Sequence, residues 1–170
     1  MLNKLNIDCK SKILLCGAIA TPCRIGKFGY VSEESGREGD SKTPLGEYVL
    51  RFGLYRADRI APPPSPLTFR TLQPDDGWCD DINDPAYNRF IRLPYPASHE
   101  NLWREDGAYD IILVMSHNDS PPKPGLGSAV FIHIAQPDDR QTLGCIALTP
   151  NNMAQILPHL YTNMAVSISA

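Results

Sequence analysis

Hydrophobic positions along the chain fall in short runs separated by turn-forming residues. Residues 12–20 are an apolar run rich in Ile and Leu, which predicts a buried strand. Residues 21–27 carry Pro22 and Gly26 and read as a turn with a short strand. Residues 32–42 are polar, with Gly36, Gly39 and Asp40, and predict an exposed loop. Thr43-Pro44-Leu45-Gly46 is turn chemistry directly before residues 47–52. That segment alternates polar and apolar residues, as a half-buried strand does. The prolines in residues 61–66 exclude helix and central strand. Residues 70–108 are loop-rich and hold both tryptophans. A region that long and irregular predicts a functional loop or lid, unless its aromatics merely pin it in place.

Residues 109–115 (YDIILVM) and 128–134 (SAVFIHI) predict two buried strands, the second delivering His133 near its end. A Pro/Gly loop over 118–127 separates them, and a polar loop over 136–142 leads to an apolar element at 145–148. Thr149 as N-cap and Pro150 at the first helical position predict a short helix over 151–160, interrupted at Pro158. Residues 161–168 predict a closing strand. No internal repeat is visible. Strands dominate, so the expected fold class is mainly β with one or two short helices and long loops, in a single domain over 1–170.

Composition narrows the function classes. The chain has 170 residues, 42% of them apolar, as in folded proteins, and a net charge of −3 without a basic block. That argues against nucleic acid as a partner, which needs a concentrated Lys/Arg footprint. Near the N-terminus Asn6, Asp8, Lys10 and Lys12 interrupt any apolar run, and residues 13–20 lead to no small-residue cleavage site. No stretch approaches the roughly 20 apolar residues of a membrane helix. No membrane partner and a cytoplasmic location are therefore expected. Five cysteines without a CxxC pair are expected to be free thiols. No cofactor is expected. A metal reading that joins His117, His133 and Cys145 lacks a compact ligand motif.

Residues 131–148 carry the chemistry. A thiol nucleophile needs a base within hydrogen-bond reach. Two strands joined by a loop can place His133 and Cys145, twelve residues apart in sequence, side by side. Gly144 removes a side chain where a substrate carbonyl must approach and permits backbone that aims N–H groups at an oxyanion. On residue types alone, Cys145 as a small core residue and His133 as a satisfied core histidine stay open beside this reading.

Thr142-Leu143-Gly144-Cys145-Ile146, with His133 upstream on a strand, resembles the motif of the L,D-transpeptidase catalytic domain (YkuD-type). A second likeness lies in Glu38-Gly39-Asp40-Ser41-Lys42-Thr43-Pro44-Leu45-Gly46-Glu47-Tyr48. A third, Gly77-Trp78-Cys79-Asp80-Asp81 with Tyr87-Asn88-Arg89, is similar to a subgroup without an obvious secretion signal. The resemblance spans about residues 14–160. It implies a β-sandwich in which Cys145 attacks, His133 is the base, Gly144 and Cys145 supply oxyanion donors, and Thr142 shapes the loop. Two positions depart from the family: Ile134 stands where Gly is common after the His, and Ala147 where Arg is common after the Cys. Arg89 is a candidate for the missing cation.

The substrate so implied is a peptidoglycan stem peptide, cleaved before a terminal D-alanine through an acyl-enzyme. An amine acceptor makes the protein a transpeptidase or D-amino-acid exchanger. Water makes it an L,D-carboxypeptidase, which the cytoplasmic reading favours, acting on muropeptide tetrapeptides. The alternative of another class is a non-catalytic binder of wall fragments. His117, Asn118, Trp78, Tyr87 and Arg89 are the expected substrate contacts. Trp78 and His117 could equally serve structure. Asp80 and Asp81 read as a solvated pair or a turn, Cys79 as a weaker rival nucleophile, and His99 and His159 as surface residues.

Overall fold

A computed structural model describes residues 4–170. Strand β1 (Lys4–Asp8) buries Leu5 and Ile7 and turns Asn6 and Asp8 outward. The polar residues that break the apolar run are thus the outward half of a period-two strand. The run at 12–20 is a hairpin rather than one strand. Strands β2 (Ile13–Cys16) and β3 (Ile19–Pro22) turn back at Gly17, whose φ is +61°. Leu14 and Cys16 are buried, while Leu15 between them is 41% exposed.

The remaining strands are β4 (Tyr30–Ser32), β5 (Thr43–Tyr55), β6 (Phe69–Thr71), β7 (Asp76–Cys79), β8 (Phe90–Arg92), β9 (His99–Asn101), β10 (Ile111–Met115), β11 (Phe131–Ile134), β12 (Ile146–Leu148) and β13 (Ala165–Ser169). The main sheet runs β12-β11-β10-β5-β13-β1-β2-β3, with β4 and β6 also paired to β5. Its two ends meet through bridges between Arg24 and Ala147 and between Gly26 and Thr142, so the sheet curls almost onto itself. Residues 70–108 are less irregular than the sequence predicts, since they carry a second sheet in the order β8-β7-β9.

One helix, α1 (Pro150–Ile156), starts where expected, and Thr149 Oγ1 accepts from Asn152 N at 3.3 Å. It stops short of residue 160, giving way to a 3₁₀ turn at Leu157–His159 that contains Pro158.

Two cores result. The first, inside the curled sheet, holds Leu5, Ile7, Leu50, Leu113, Ile132 and Ile146. The second lies under β7–β9 and holds Leu54, Trp78, Tyr109, Ile112, Val114 and Phe131. Strand β5 serves both because its pairing slips beside Arg51. Val114 faces Phe52 while Met115 faces Leu50. That bulge swings the strand's inward side chains from one core to the other. Strand β11 divides similarly: Ile132 and Ile134 enter the first core, while Phe131 belongs to the second and His133 shares its face. Among the described residues, no helix is long and apolar enough to cross a membrane.

Candidate active site

Strands β11 and β12 run parallel, with Ile132 opposite Ile146 and His133 opposite Ala147. Cys145, two residues before Ala147, therefore shares the face of His133. Both line a cleft of about 710 Å³. The sulfur accepts from Phe131 N at 3.3 Å and donates to Ala129 O at 3.1 Å. Ala129 is held at φ +52°, a conformation non-glycine residues rarely adopt.

The turn before Cys145 is tied from three directions. Thr142 Oγ1 donates to Cys145 O at 2.6 Å and accepts from Gly144 N at 3.2 Å. The Gly144 amide is thereby engaged, which leaves the Cys145 amide as the better candidate for an oxyanion donor. Thr43 of the Thr-Pro segment donates to Gly144 O at 2.8 Å and accepts from Gly26 N at 2.9 Å. Gly144 itself has φ +133°, and a Cβ there would lie 2.9 Å from Lys42 O. Gly144→Ala is expected to lower the unfolding temperature and cut turnover at least tenfold, because strain and contact both fall on backbone. Thermal unfolding alongside an activity assay checks this, and wild-type values for both would contradict it.

His133 Nδ1 lies 2.9 Å from Ile134 O. A carbonyl only accepts, so the proton sits on Nδ1 and Nε2 keeps its lone pair. The residue that replaces the family's glycine thus contributes through its carbonyl. The ring meets Tyr109 edge-on at 5.3 Å. Tyr109 donates its hydroxyl to Glu100, and Arg104 lies 4.9 Å over the Tyr109 ring. Burial lowers His133 to about 4 and raises Cys145 to about 12. Burial also raises Glu38 and Glu100, each further raised by Asp80 across the cleft.

His117 is the other depressed histidine, lowered to about 4 by burial. A ring kept neutral in the folded state stabilises it fully above the unfolded value near 6.5 and progressively less as pH falls toward 4. For His117, which is 3% exposed, the loss is on the order of 3 kcal/mol. Urea unfolding at pH 7 and pH 4.5 should show this drop, and His117→Leu should reduce it. Equal stability at both pH values would contradict it.

The segment predicted to bind substrate serves largely as a brace. Trp78 Nε1 donates to Asn88 Oδ1 at 2.9 Å, and Asn88 Oδ1 also accepts from Ala129 N at 3.1 Å. Asn88 Nδ2 donates to the carbonyls of His117 and Asn118 at 3.1 and 2.7 Å. Tyr87 donates to Glu38 at 2.5 Å and accepts from Gly127 N at 3.0 Å. Asn118 closes the 118–127 loop through Lys123 and Gly127. Together these groups fix the loop whose Ala129 carbonyl holds the thiol. His117 is buried with neither ring nitrogen partnered among the described residues. Arg89 does not enter the cleft but lines a neighbouring groove, so it does not supply a cation at position 147. Arg24 is bridged through its backbone to Ala147. Its Nη1 donates to the carbonyls of Gln136 and Arg140 at 2.9 and 3.1 Å, and to that of Asp138.

Sequence reasoning missed several cleft residues. His99, read as a surface residue, lines the cleft with Glu100, because β9 pairs with β7 and carries them inward, and Arg104 lines it from the segment that follows β9. Of Asp80 and Asp81, read as a solvated pair or a turn, only Asp81 fits the turn. Asp81 accepts from Asn83 N in a turn, while Asp80 faces the cleft with Oδ1 buried and unpartnered. Cys79 is fully buried in β7. No group of His, Cys, Asp or Glu suited to a metal occurs among the described residues.

A comparison with protein families decides the family. The model of the YkuD L,D-transpeptidase catalytic domain matches residues 17–168. The chain belongs to this family. No curated protein sequence matches it. Similar solved structures include Bd1075 of Bdellovibrio bacteriovorus, with TM-score 0.49 and 13% identity over 96% of this chain and 46% of that one. An L,D-transpeptidase from Mycobacterium smegmatis gives TM-score 0.44 and 13% identity over 98% and 58%. The helical cell shape determining protein Pgp2 from Campylobacter jejuni gives 0.43 and 18% over 97% and 46%. The chain thus spans about half the length of these solved chains. The mainly β fold with one short helix read from sequence stands, and the matching family model is that of an L,D-transpeptidase catalytic domain.

Proposed function

We propose that this L,D-transpeptidase-family domain is an L,D-carboxypeptidase that removes the terminal D-alanine from muropeptide tetrapeptides, with Cys145 as nucleophile and His133 as base. The supporting observation is the shared cleft, in which Cys145 and His133 lie on one face of a parallel strand pair and the imidazole carries its proton on Nδ1. The thiol proton passes to His133 Nε2 as sulfur bonds to the substrate carbonyl. The Cys145 amide faces the developing oxyanion. Collapse breaks the C–N bond, and His133 returns the proton to the departing D-alanine amine. Water then attacks the thioester, gives a proton to His133, and the thiol is restored.

Water as acceptor is supported by Asp80 Oδ1 and Gln136 Nε2, buried polar atoms that border the cleft without protein partners among the described residues. Such atoms are natural seats for ordered water. A transpeptidase reading draws on Glu38, Asp80 and Glu100, whose carboxylates suit a cationic amine acceptor. Incubation with a soluble muropeptide tetrapeptide, with and without an added D-amino acid, separates the two by mass. Loss of D-alanine in both cases, absent in Cys145→Ala, supports the carboxypeptidase. Exchange for the added amino acid makes it a transpeptidase. No change in either case favours a binding module and ends the carboxypeptidase reading.

A further inference from the structure

Beside the cleft, on the same sheet face, lies a groove of about 390 Å³ that the chemistry at Cys145 does not use. Its surface is aromatic and aliphatic, with Phe52, Phe90, Val114 and Phe131 among its lining residues. Three arginines and one aspartate also line it. Arg51 is neutralised by Asp119 at 2.8 Å. Arg70 and Arg89 have no carboxylate within ion-pair distance among the described residues. Arg70 is instead held over Phe52, 4.5 Å from its ring centroid, and lies 5.3 Å from that of Phe90. The protein carries net charge −3, yet this groove is locally cationic.

A second observation also points to a ligand. His117 is 3% exposed, stands between the groove and a smaller pocket at Gly127, and has two ring nitrogens without partners among the described residues. Buried polar atoms are rarely left unpaired, and a neutral imidazole offers one donor and one acceptor. The groove also adjoins the reactive sulfur. Phe131 lines it and donates its amide to Cys145 Sγ at 3.3 Å, while Val130 borders both groove and cleft.

We infer that this groove is a subsite for a carboxylate on the non-reacting part of an acidic peptide substrate, taken by Arg70 and Arg89 and completed by His117. Planar guanidinium groups recognise carboxylates through paired, charge-assisted hydrogen bonds, and the aromatic surface excludes competing water. The inference rests on the proposed function, since it places the rest of the stem peptide once its reacting carbonyl is at Cys145. A stem peptide with a free glutamyl carboxylate fits this chemistry, whereas one whose carboxylate is amidated does not.

The test uses Cys145→Ala protein, which cannot turn over, and calorimetry with two synthetic tetrapeptides that differ only in whether the glutamyl carboxylate is free or amidated. The free acid should bind at least about tenfold tighter. That preference should disappear in the added double variant Arg70→Gln, Arg89→Gln. In the Cys145 protein, the same double variant should raise KM for the free acid with kcat nearly unchanged. If both peptides bind equally, or the preference survives the double variant, the subsite is overturned while the activity at Cys145 stands. If neither peptide binds, and wild-type protein releases no D-alanine from either, the proposed function fails together with the subsite.

Discussion

Cys145→Ala is expected to reduce D-alanine release by about 10⁴-fold or more, the scale on which nucleophile removal acts in comparable acyl-transfer sites. No other thiol can take over. Cys9, Cys16, Cys23 and Cys79 are all at most 6% exposed, while Cys145 is the partly exposed one. Cys9, Cys16 and Cys23 sit in the first core and, like Cys79, do not line the cleft that holds His133. Stability should change little. The sulfur's hydrogen bonds, from Phe131 N and to Ala129 O, are weak, and Ala keeps the β-carbon at the edge of the second core. Activity above a tenth of wild type, in a variant with an unchanged melting temperature, would place the nucleophile elsewhere.

The second large effect concerns the resting charge state. With His133 near 4 and Cys145 near 12, the pair at pH 7 is a thiol and a neutral imidazole rather than a thiolate and an imidazolium. Both shifts have burial as their first cause. The thiol proton points at Ala129 O in keeping with this. Alkylation of Cys145 by iodoacetamide should therefore run about 10³-fold slower at pH 7 than that of an ordinary exposed cysteine. It should climb tenfold per pH unit from 7 to 9 without a plateau. A histidine lowered to about 4 has already lost its proton at neutral pH and is available as a base. The acid limb of kcat/KM should accordingly fall near pH 4 rather than near 6.5. A pH-independent fast alkylation above pH 6, abolished by His133→Ala, would reveal a preformed ion pair and contradict this charge state.

Much of the fold was legible because its signals are local. Period-two alternation marked the middle of β5 at 47–52, but Thr43–Gly46, read as a turn, belongs to the same strand, where β4 and β13 pair with it; apolar runs marked β10 and β11, and Thr149-Pro150 marked the start of α1. The hairpin at 12–20 was not legible, because the alternation that exposes Leu15 is hidden in an all-apolar run. Nor were β7–β9, whose strands are three or four residues long and owe their form to pairing with one another. That Cys145 and His133 line one cleft was readable because one loop joins their parallel strands. The roles of Asn88, Thr43 and Arg24 were not. Each acts across a gap of at least ten residues: Asn88 on Trp78 and Ala129, Thr43 on Gly144, Arg24 on the carbonyls of 136–140. No local pattern encodes such long-range bonds. His99 and Glu100 escaped notice similarly, since only the register of β9 on β7 carries them into the cleft.

The most direct test of the central claim is to trap the acyl-enzyme. Wild-type protein is mixed with muropeptide tetrapeptide, quenched in acid within the first turnovers, and its mass and peptide map are read. The mechanism predicts an adduct equal to the substrate less D-alanine, carried as a thioester on the peptide containing Cys145 and absent from Cys145→Ala. Turnover with no such adduct, or with an adduct on the peptide containing Cys79, would contradict it.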